Sequence, residues 1–173
     1  MSISDEITIR QIRMADAKSF LALCLNLDHE TKFMMLEPGE RDMSRRDQKK
    51  QIEQILKSRN SNLFVAVRES EMVGYIMGLG GEYQRNFHKM HIITGILKDY
   101  SGQGLGKRLF KELETWAERN RITRLEMTVM THNQNAIGLY EKMGFVREGE
   151  IRNSVRIDGA FVNEFLMAKI IDS

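Results

Sequence analysis

Three glycines, Gly102, Gly104 and Gly106, alternate with other residues in YSGQGLGKRL (residues 100–109), and a basic pair, Lys107 and Arg108, leads into a run with helical spacing. Glycine is costly to order, so three of them at the mouth of a helix imply that something comes close to the main chain. The first turn of a helix carries unpaired amides and about half a positive charge. Glycine leaves those amides open to a phosphate. The ligand implied is a phosphate or pyrophosphate; a glycine-rich turn without a ligand is the other reading that this stretch alone allows.

Two phosphate motifs can be tested by spacing. A P-loop requires Gly-Lys followed by Ser or Thr, and here Arg108 follows Gly106-Lys107. A dinucleotide fingerprint requires Gly-x-Gly-x-x-Gly tight against a strand, with an acidic residue about 20 positions further on. Glu126 lies near that distance, but Lys107 stands where the third glycine belongs, and KDYS separates the preceding apolar run from Gly102. Neither motif is satisfied, which disfavours a nicotinamide or flavin enzyme.

The elements around the glycines follow from periodicity. HKMHIITGIL reads as the strand before them. In GKRLFKELETWAERNR, Leu109, Phe110, Leu113 and Trp116 share one helical face opposite the charges. RLEMTVM reads as a strand, and NQNAIGLYEKMGF as a short helix stopped by Gly144. FVREGEIRNSVRIDG and AFVNEFLMAKII read as two strands turning at Asp158-Gly159. Upstream, EITIRQIR alternates like a strand, residues 16–28 have helical spacing, and residues 30–43, with the sole proline Pro38, read as a loop. Ser44 opens a second helix with a capping-box pattern to Asp47 and an apolar stripe at Ile52, Ile55 and Leu56. NLFVAVRE and MVGYIMGLGG form a hairpin around the polar turn at residues 68–71. The order is one strand, two helices, three strands, a helix, a strand, a helix and two strands. That order predicts a mixed α/β sheet with helices on its faces.

The chain has 173 residues, 42% apolar and 29% charged, which suits one soluble domain over residues 1–173. Its 26 basic and 24 acidic residues give a net charge of +2, too balanced to point to nucleic acid. A single cysteine, Cys24, excludes an intramolecular disulfide and a multi-cysteine metal site, and no metal is expected. Cys24 shares a helical face with Phe20, Leu23 and Leu27 and is read as core. No apolar run is long enough for a membrane span, and MSISDEITIR does not read as a signal peptide, so a cytoplasmic setting is expected.

HIITGILKDYSGQGLGKRLFKELETWA followed by NQNAIGLYEKMGF resembles the GNAT superfamily of acyl-CoA-dependent N-acetyltransferases. The family pairs Arg/Gln-x-x-Gly-x-Gly/Ala, between a strand and a helix, with a later Asn-x-x-Ala-x-x-Leu-Tyr element ending in Gly-Phe. Asn133, Ala136, Leu139, Tyr140, Gly144 and Phe145 match the second element. The likeness is close over residues 90–145 and looser elsewhere. Ser101 departs from it, standing where the family carries Arg or Gln.

The resemblance implies a mostly antiparallel sheet of about seven strands, flanked by about four helices. It also implies that the sheet splays open between the strands at residues 92–97 and 125–130. Acetyl-CoA is the implied cosubstrate. Its pyrophosphate would meet the main chain of Gln103, Gly104, Leu105, Gly106 and Lys107. Its pantetheine arm would meet Ile96 and Leu97, with Asn133, Ala136 and Tyr140 beside it. Gly95 falls where the family has a strand bulge, although a glycine tolerated for packing reads as well. Tyr140 is the implied general acid toward the departing sulfur; an unperturbed tyrosine, with a pKa of about 10, is protonated at neutral pH.

The general base is left open. Thr128 stands where some family members carry glutamate and cannot serve, and Glu126, His91, Glu37 and a water chain are all candidates. Asp28, Glu30, Glu37 and Glu40, interspersed with Phe33, Met34 and Met35, suit either a loop that attracts a cationic amine acceptor or one that packs its apolar residues and solvates its acids. A CoA-binding regulatory module without turnover is the alternative. An exposed final strand would offer an edge for a homodimer.

Overall fold

Cross-strand register is where this sheet departs from a uniform ladder, and the departure positions the site. The computed structural model describes residues 6–172. Its strands are β1 (Ile7–Gln11), β2 (Asn62–Arg68), β3 (Glu71–Gly80), β4 (Lys89–Ile96), β5 (Arg124–Met130), β6 (Val146–Ile157) and β7 (Ala160–Ile170). They form one seven-stranded sheet in the order β1-β2-β3-β4-β5-β7-β6. Every neighbouring pair is antiparallel except β4 and β5. The helices are α1 (Ala17–Glu30), α2 (Arg45–Lys57), α3 (Leu105–Arg119) and α4 (Gln134–Lys142). The mixed α/β architecture read from the sequence is therefore the one observed.

Local chemistry explains the boundaries. Ser44 Oγ accepts the Asp47 amide at 3.1 Å while the Asp47 carboxylate takes the Ser44 amide at 3.2 Å, closing the capping box that starts α2. Asp158 and Gly159 hold φ of 50° and 83°, the doubly left-handed turn that matches hairpin twist. Gly144, at φ 93°, follows the last turn of α4 as expected. α1 runs to Glu30, two residues beyond the expected end, and residues 31–44 form the predicted loop.

The core lies on both faces of the sheet. α1 and α2 cover one face, where Leu27 of α1 packs against Gly95 of β4 and Phe20 stands edge-on to Tyr75 of β3. α3 and α4 cover the other, with Phe110, Tyr140 and Phe145 in mutual ring contact. Cys24 is buried on α1, and burial pushes its thiol up to about 11, so it packs as a hydrophobe.

Two expectations are corrected. β7 is not an exposed edge: it lies between β5 and β6, and the returning hairpin makes β6 the edge strand. Gly95 carries no bulge, because β3 and β4 pair in unbroken register through Tyr75↔Gly95. A Cβ there would stand 2.7 Å from Leu27 Cδ1 and 3.1 Å from Tyr75 Cε1, so packing explains the glycine. Register shifts fall instead in the β2–β3 ladder, between Ala66 and Val67, and in the β6–β7 ladder, between Arg147 and Gly149 and between Ile151 and Val155. Among the described residues no helix is long and apolar enough to cross a membrane.

Candidate active site

β4 and β5 pair through only three positions, ending at His91↔Glu126. Beyond that pair β4 continues to Ile96 and β5 to Met130 without a ladder between them. The sheet forks there, where the family resemblance implies a splay. Leu97 N–H donates to Val73 O at 2.9 Å, on the β3 side. Main-chain direction alternates along a strand, so Thr94 and Ile96 turn their polar groups to the gap. Ile96 therefore suits a pantetheine amide. Leu97 differs from expectation, since its N–H is taken by Val73 and its carbonyl accepts the Tyr100 amide at 2.9 Å.

The mouth of α3 lies at the end of this gap. Gly104 is its N-cap at φ 79° and no side chain caps it. The first helical bond is Arg108 N–H to Gly104 O at 3.2 Å, so the amides of Leu105, Gly106 and Lys107 have no acceptor within the helix. Gly102 and Gly104 are both left-handed, and a Cβ on either would meet nothing within 4 Å. Conformation, not crowding, requires glycine at these two positions, and the space before the amides is open. Gly106 differs, since its Cβ would stand 2.8 Å from Leu139 Cδ2 on α4 and 3.5 Å from Ile96 Cδ1 on β4. The helix mouth, the outer end of β4 and the helix that carries Tyr140 therefore converge. Lys107 is exposed at this mouth. Gln103 donates its side-chain amide to Asp99 O at 3.2 Å, and Ser101 Oγ donates to Lys98 O at 2.6 Å, so both side chains shape the turn itself.

Asn133 caps α4, its Oδ1 accepting the Ala136 amide at 3.3 Å. That bond occupies the amide of Ala136, whose side chain is half-buried. Tyr140 packs its ring 5.5 Å from Phe110 and 6.2 Å from Phe145. Burial pushes its hydroxyl up to about 12. Among the described residues, no buried side-chain oxygen lacks a partner. The Tyr140 hydroxyl makes no hydrogen bond there, so it retains contact with solvent.

The carboxylates of the sequence reading fall into different roles. Burial raises Glu126, but hydrogen bonds from Arg124 (2.7 Å) and Lys89 (3.2 Å) outweigh it and hold the carboxyl below its usual range. Both of its oxygens are engaged, which makes it a poor base. Asp28 is buried beneath Arg41, Glu30 accepts the Lys98 amide at 2.9 Å, and Glu40 accepts the Glu37 amide at 2.7 Å. Glu37 and His91 are exposed. The loop of residues 31–44 folds over this side of the sheet, with Phe33 5.1 Å from the His132 ring and Lys32 paired to Asp158 of the hairpin.

Sequence reasoning missed Glu164 on β7, which is only 8% exposed. A signal was present, because Ala160, Val162, Leu166, Ala168 and Ile170 make its strand parity otherwise apolar. Among the described residues no group of His, Cys, Asp and Glu is arranged to hold a metal.

A model of the Acetyltransferase (GNAT) family matches residues 24–145. The spermine/spermidine N(1)-acetyltransferase of Bacillus subtilis (strain 168) is 33% identical over 88 residues, 48% of this chain and 58% of the relative. The match thus spans little more than half of that relative's length. The crystal structure of a GNAT-family acetyltransferase from Streptococcus pneumoniae superposes with a TM-score of 0.93 at 30% identity, covering 96% of this chain and all of that one. The phosphinothricin acetyltransferase of Sinorhizobium meliloti, solved in complex with acetyl-CoA, shares the fold at a TM-score of 0.82 and 16% identity, over 96% of this chain and 89% of that one. The family match runs across most of the chain and takes in the fork, the glycine mouth and the helix of Tyr140 alike. On that ground the chain belongs to the GNAT family of acetyltransferases.

Proposed function

We propose that this chain is a single-domain N-acetyltransferase that moves an acetyl group from acetyl-CoA to a primary amine by direct attack, with both substrates bound together. One observation carries the reading: β4 and β5 part beyond His91 and Glu126, and the outer end of the gap meets an uncapped helix mouth. A fork supplies unpaired strand groups for an amide-bearing arm, and the mouth supplies amides for a pyrophosphate.

Acetyl-CoA supplies the activated acyl group. The residues present fit it: the amides of Leu105, Gly106 and Lys107 lack helical acceptors, and no Cβ occupies the space at Gly102 or Gly104. Lys107 adds a positive charge there. Thr94 and Ile96 offer main-chain groups to the pantetheine arm. Tyr140, protonated up to about pH 12, gives its hydroxyl proton to the sulfur as the C–N bond replaces the C–S bond. The attacking amine is neutral, loses one proton to water after attack, and Tyr140 regains its own from solvent.

Free thiol released from acetyl-CoA, followed against diamines, amino acids, aminoglycosides and peptides with free N-termini, tests this reading. The expected result is amine-dependent release. Tight acetyl-CoA binding with no release across the panel would favour a regulatory module instead.

A further inference from the structure

Most part-buried carboxylates among the described residues face a cation. Asp16 pairs with Arg10, Asp28 with Arg41, Glu114 with Lys169, and Glu126 with both Lys89 and Arg124. Glu164 does not. It is 8% exposed, enters no ion pair among these residues, and has one side-chain hydrogen bond, accepted from Ser154 Oγ at 2.5 Å. A carboxylate taken out of water without a cation is unfavourable, and such groups gather at functional sites.

Its placement says what it is for. Glu164 stands directly opposite Met130, at the open end of β5. Side chains on paired positions share a face. Lys169, five residues on and of opposite parity, bonds Glu114 of α3 at 2.7 Å, which fixes the odd positions of β7 on the α3 side. Glu164 therefore faces the α1–α2 side, the face that the loop of residues 31–44 overhangs. That loop is tied down at both flanks of Glu164: Phe33 meets His132 just after β5, and Lys32 meets Asp158 at the hairpin tip. The carboxylate lies one strand beyond the gap, a spacing of ~4.8 Å. The reacting nitrogen must be neutral to attack, whereas a carboxylate fixed by a hydrogen bond one strand away from the gap suits a nitrogen that stays protonated throughout.

We propose that Glu164 anchors a second, protonated nitrogen of the acceptor, making the substrate class a diamine or polyamine whose nitrogens lie a few carbons apart. This rests on the transfer reading above. Ser154 orients the carboxylate, and the overhanging loop excludes water from the ion pair.

The test compares 1,4-diaminobutane with 4-amino-1-butanol, which keeps the length and replaces the second cation with a neutral hydroxyl. In the native protein kcat/KM for the diamine should exceed that for the amino alcohol at least tenfold. In Glu164→Gln, which retains an acceptor for Ser154, the ratio should collapse towards one, chiefly through the diamine's KM. Glu164→Asp should keep part of the preference. A folding defect would lower both probes together and leave the ratio intact, so a preserved ratio in Glu164→Gln overturns the assignment. Equal use of both probes by the native protein also overturns it, and leaves acetyl transfer standing. Calorimetry with acetyl-CoA reports separately on the transfer reading, and absence of binding overturns both.

Discussion

Arg41 reaches back 13 residues to hold Asp28 with two hydrogen bonds, Nε to Oδ2 at 2.6 Å and Nη2 to Oδ1 at 2.9 Å. The carboxylate is almost fully buried, and the guanidinium sits on the loop that overhangs the sheet. One pair thus docks the loop onto α1. Removing the cation strands a charge in the interior, a loss of about 3–5 kcal/mol. Arg41→Ala should lower the urea midpoint accordingly and raise hydrogen exchange across residues 31–44. Adding Asp28→Asn should recover part of the loss, because no lone charge then remains. An unchanged midpoint in Arg41→Ala would show that the pair contributes nothing to stability.

The left-handed conformation of Gly104 makes a second outcome specific. An alanine there meets no neighbour, so its cost is conformational, about 1–2 kcal/mol. Asparagine visits that region more readily, so Gly104→Asn should melt above Gly104→Ala. Both variants place a side chain before the open amides, and calorimetry should find acetyl-CoA bound more weakly by both. A variant that is destabilised yet binds acetyl-CoA as the native chain does would separate the glycine from the ligand.

Alkaline pH should destabilise the fold through Cys24. Burial raises its thiol from 9.0 to about 11, so the folded chain holds this proton where the unfolded chain releases it. The contribution is complete below pH 9.0 and is lost as pH rises through about 11, with a slope of at most ~1.4 kcal/mol per pH unit. Tyr140 acts in the same sense, its pKa rising from 10.0 to about 12, and Tyr75 is raised by burial too. Cys24→Ala should therefore flatten urea stability between pH 9 and 10, where the thiol is the first of these groups to titrate. A slope identical to that of the native chain would assign the effect to the tyrosines alone.

What could be read from the sequence was local or periodic. The α4 segment repeats at helical spacing and carries its own cap, so Asn133, Ala136 and Tyr140 could be placed from order alone. The fork was legible only through family likeness, because two apolar strands do not announce where their pairing stops. Leu97 turns its amide to Val73 rather than to the gap, because the side to which an amide points depends on cross-strand register. Arg41 and Glu164 were missed for a related reason: the value of a charge is set by partners or neighbours that only the folded chain brings close. For Glu164 the broken apolar parity of β7 is the trace left in the sequence.

Tyr140→Phe is the sharpest test of the chemistry. The ring makes its contacts with Phe110 and Phe145 through carbon, so phenylalanine preserves the packing and removes only the oxygen. The hydroxyl has no hydrogen-bond partner to lose among the described residues, so stability should change by less than about 1 kcal/mol. Acetyl-CoA should bind as before, because the amides proposed to hold its pyrophosphate lie on α3. Turnover should behave otherwise: a proton donor to the departing sulfur contributes roughly 100-fold or more, and kcat should fall by that factor. The native enzyme should also show no loss of kcat from this residue between pH 7 and 10, since burial keeps the hydroxyl protonated up to about 12. If Tyr140→Phe binds acetyl-CoA and turns over at the native rate, water or another donor protonates the sulfur, and Tyr140 serves only to pack α4 onto α3.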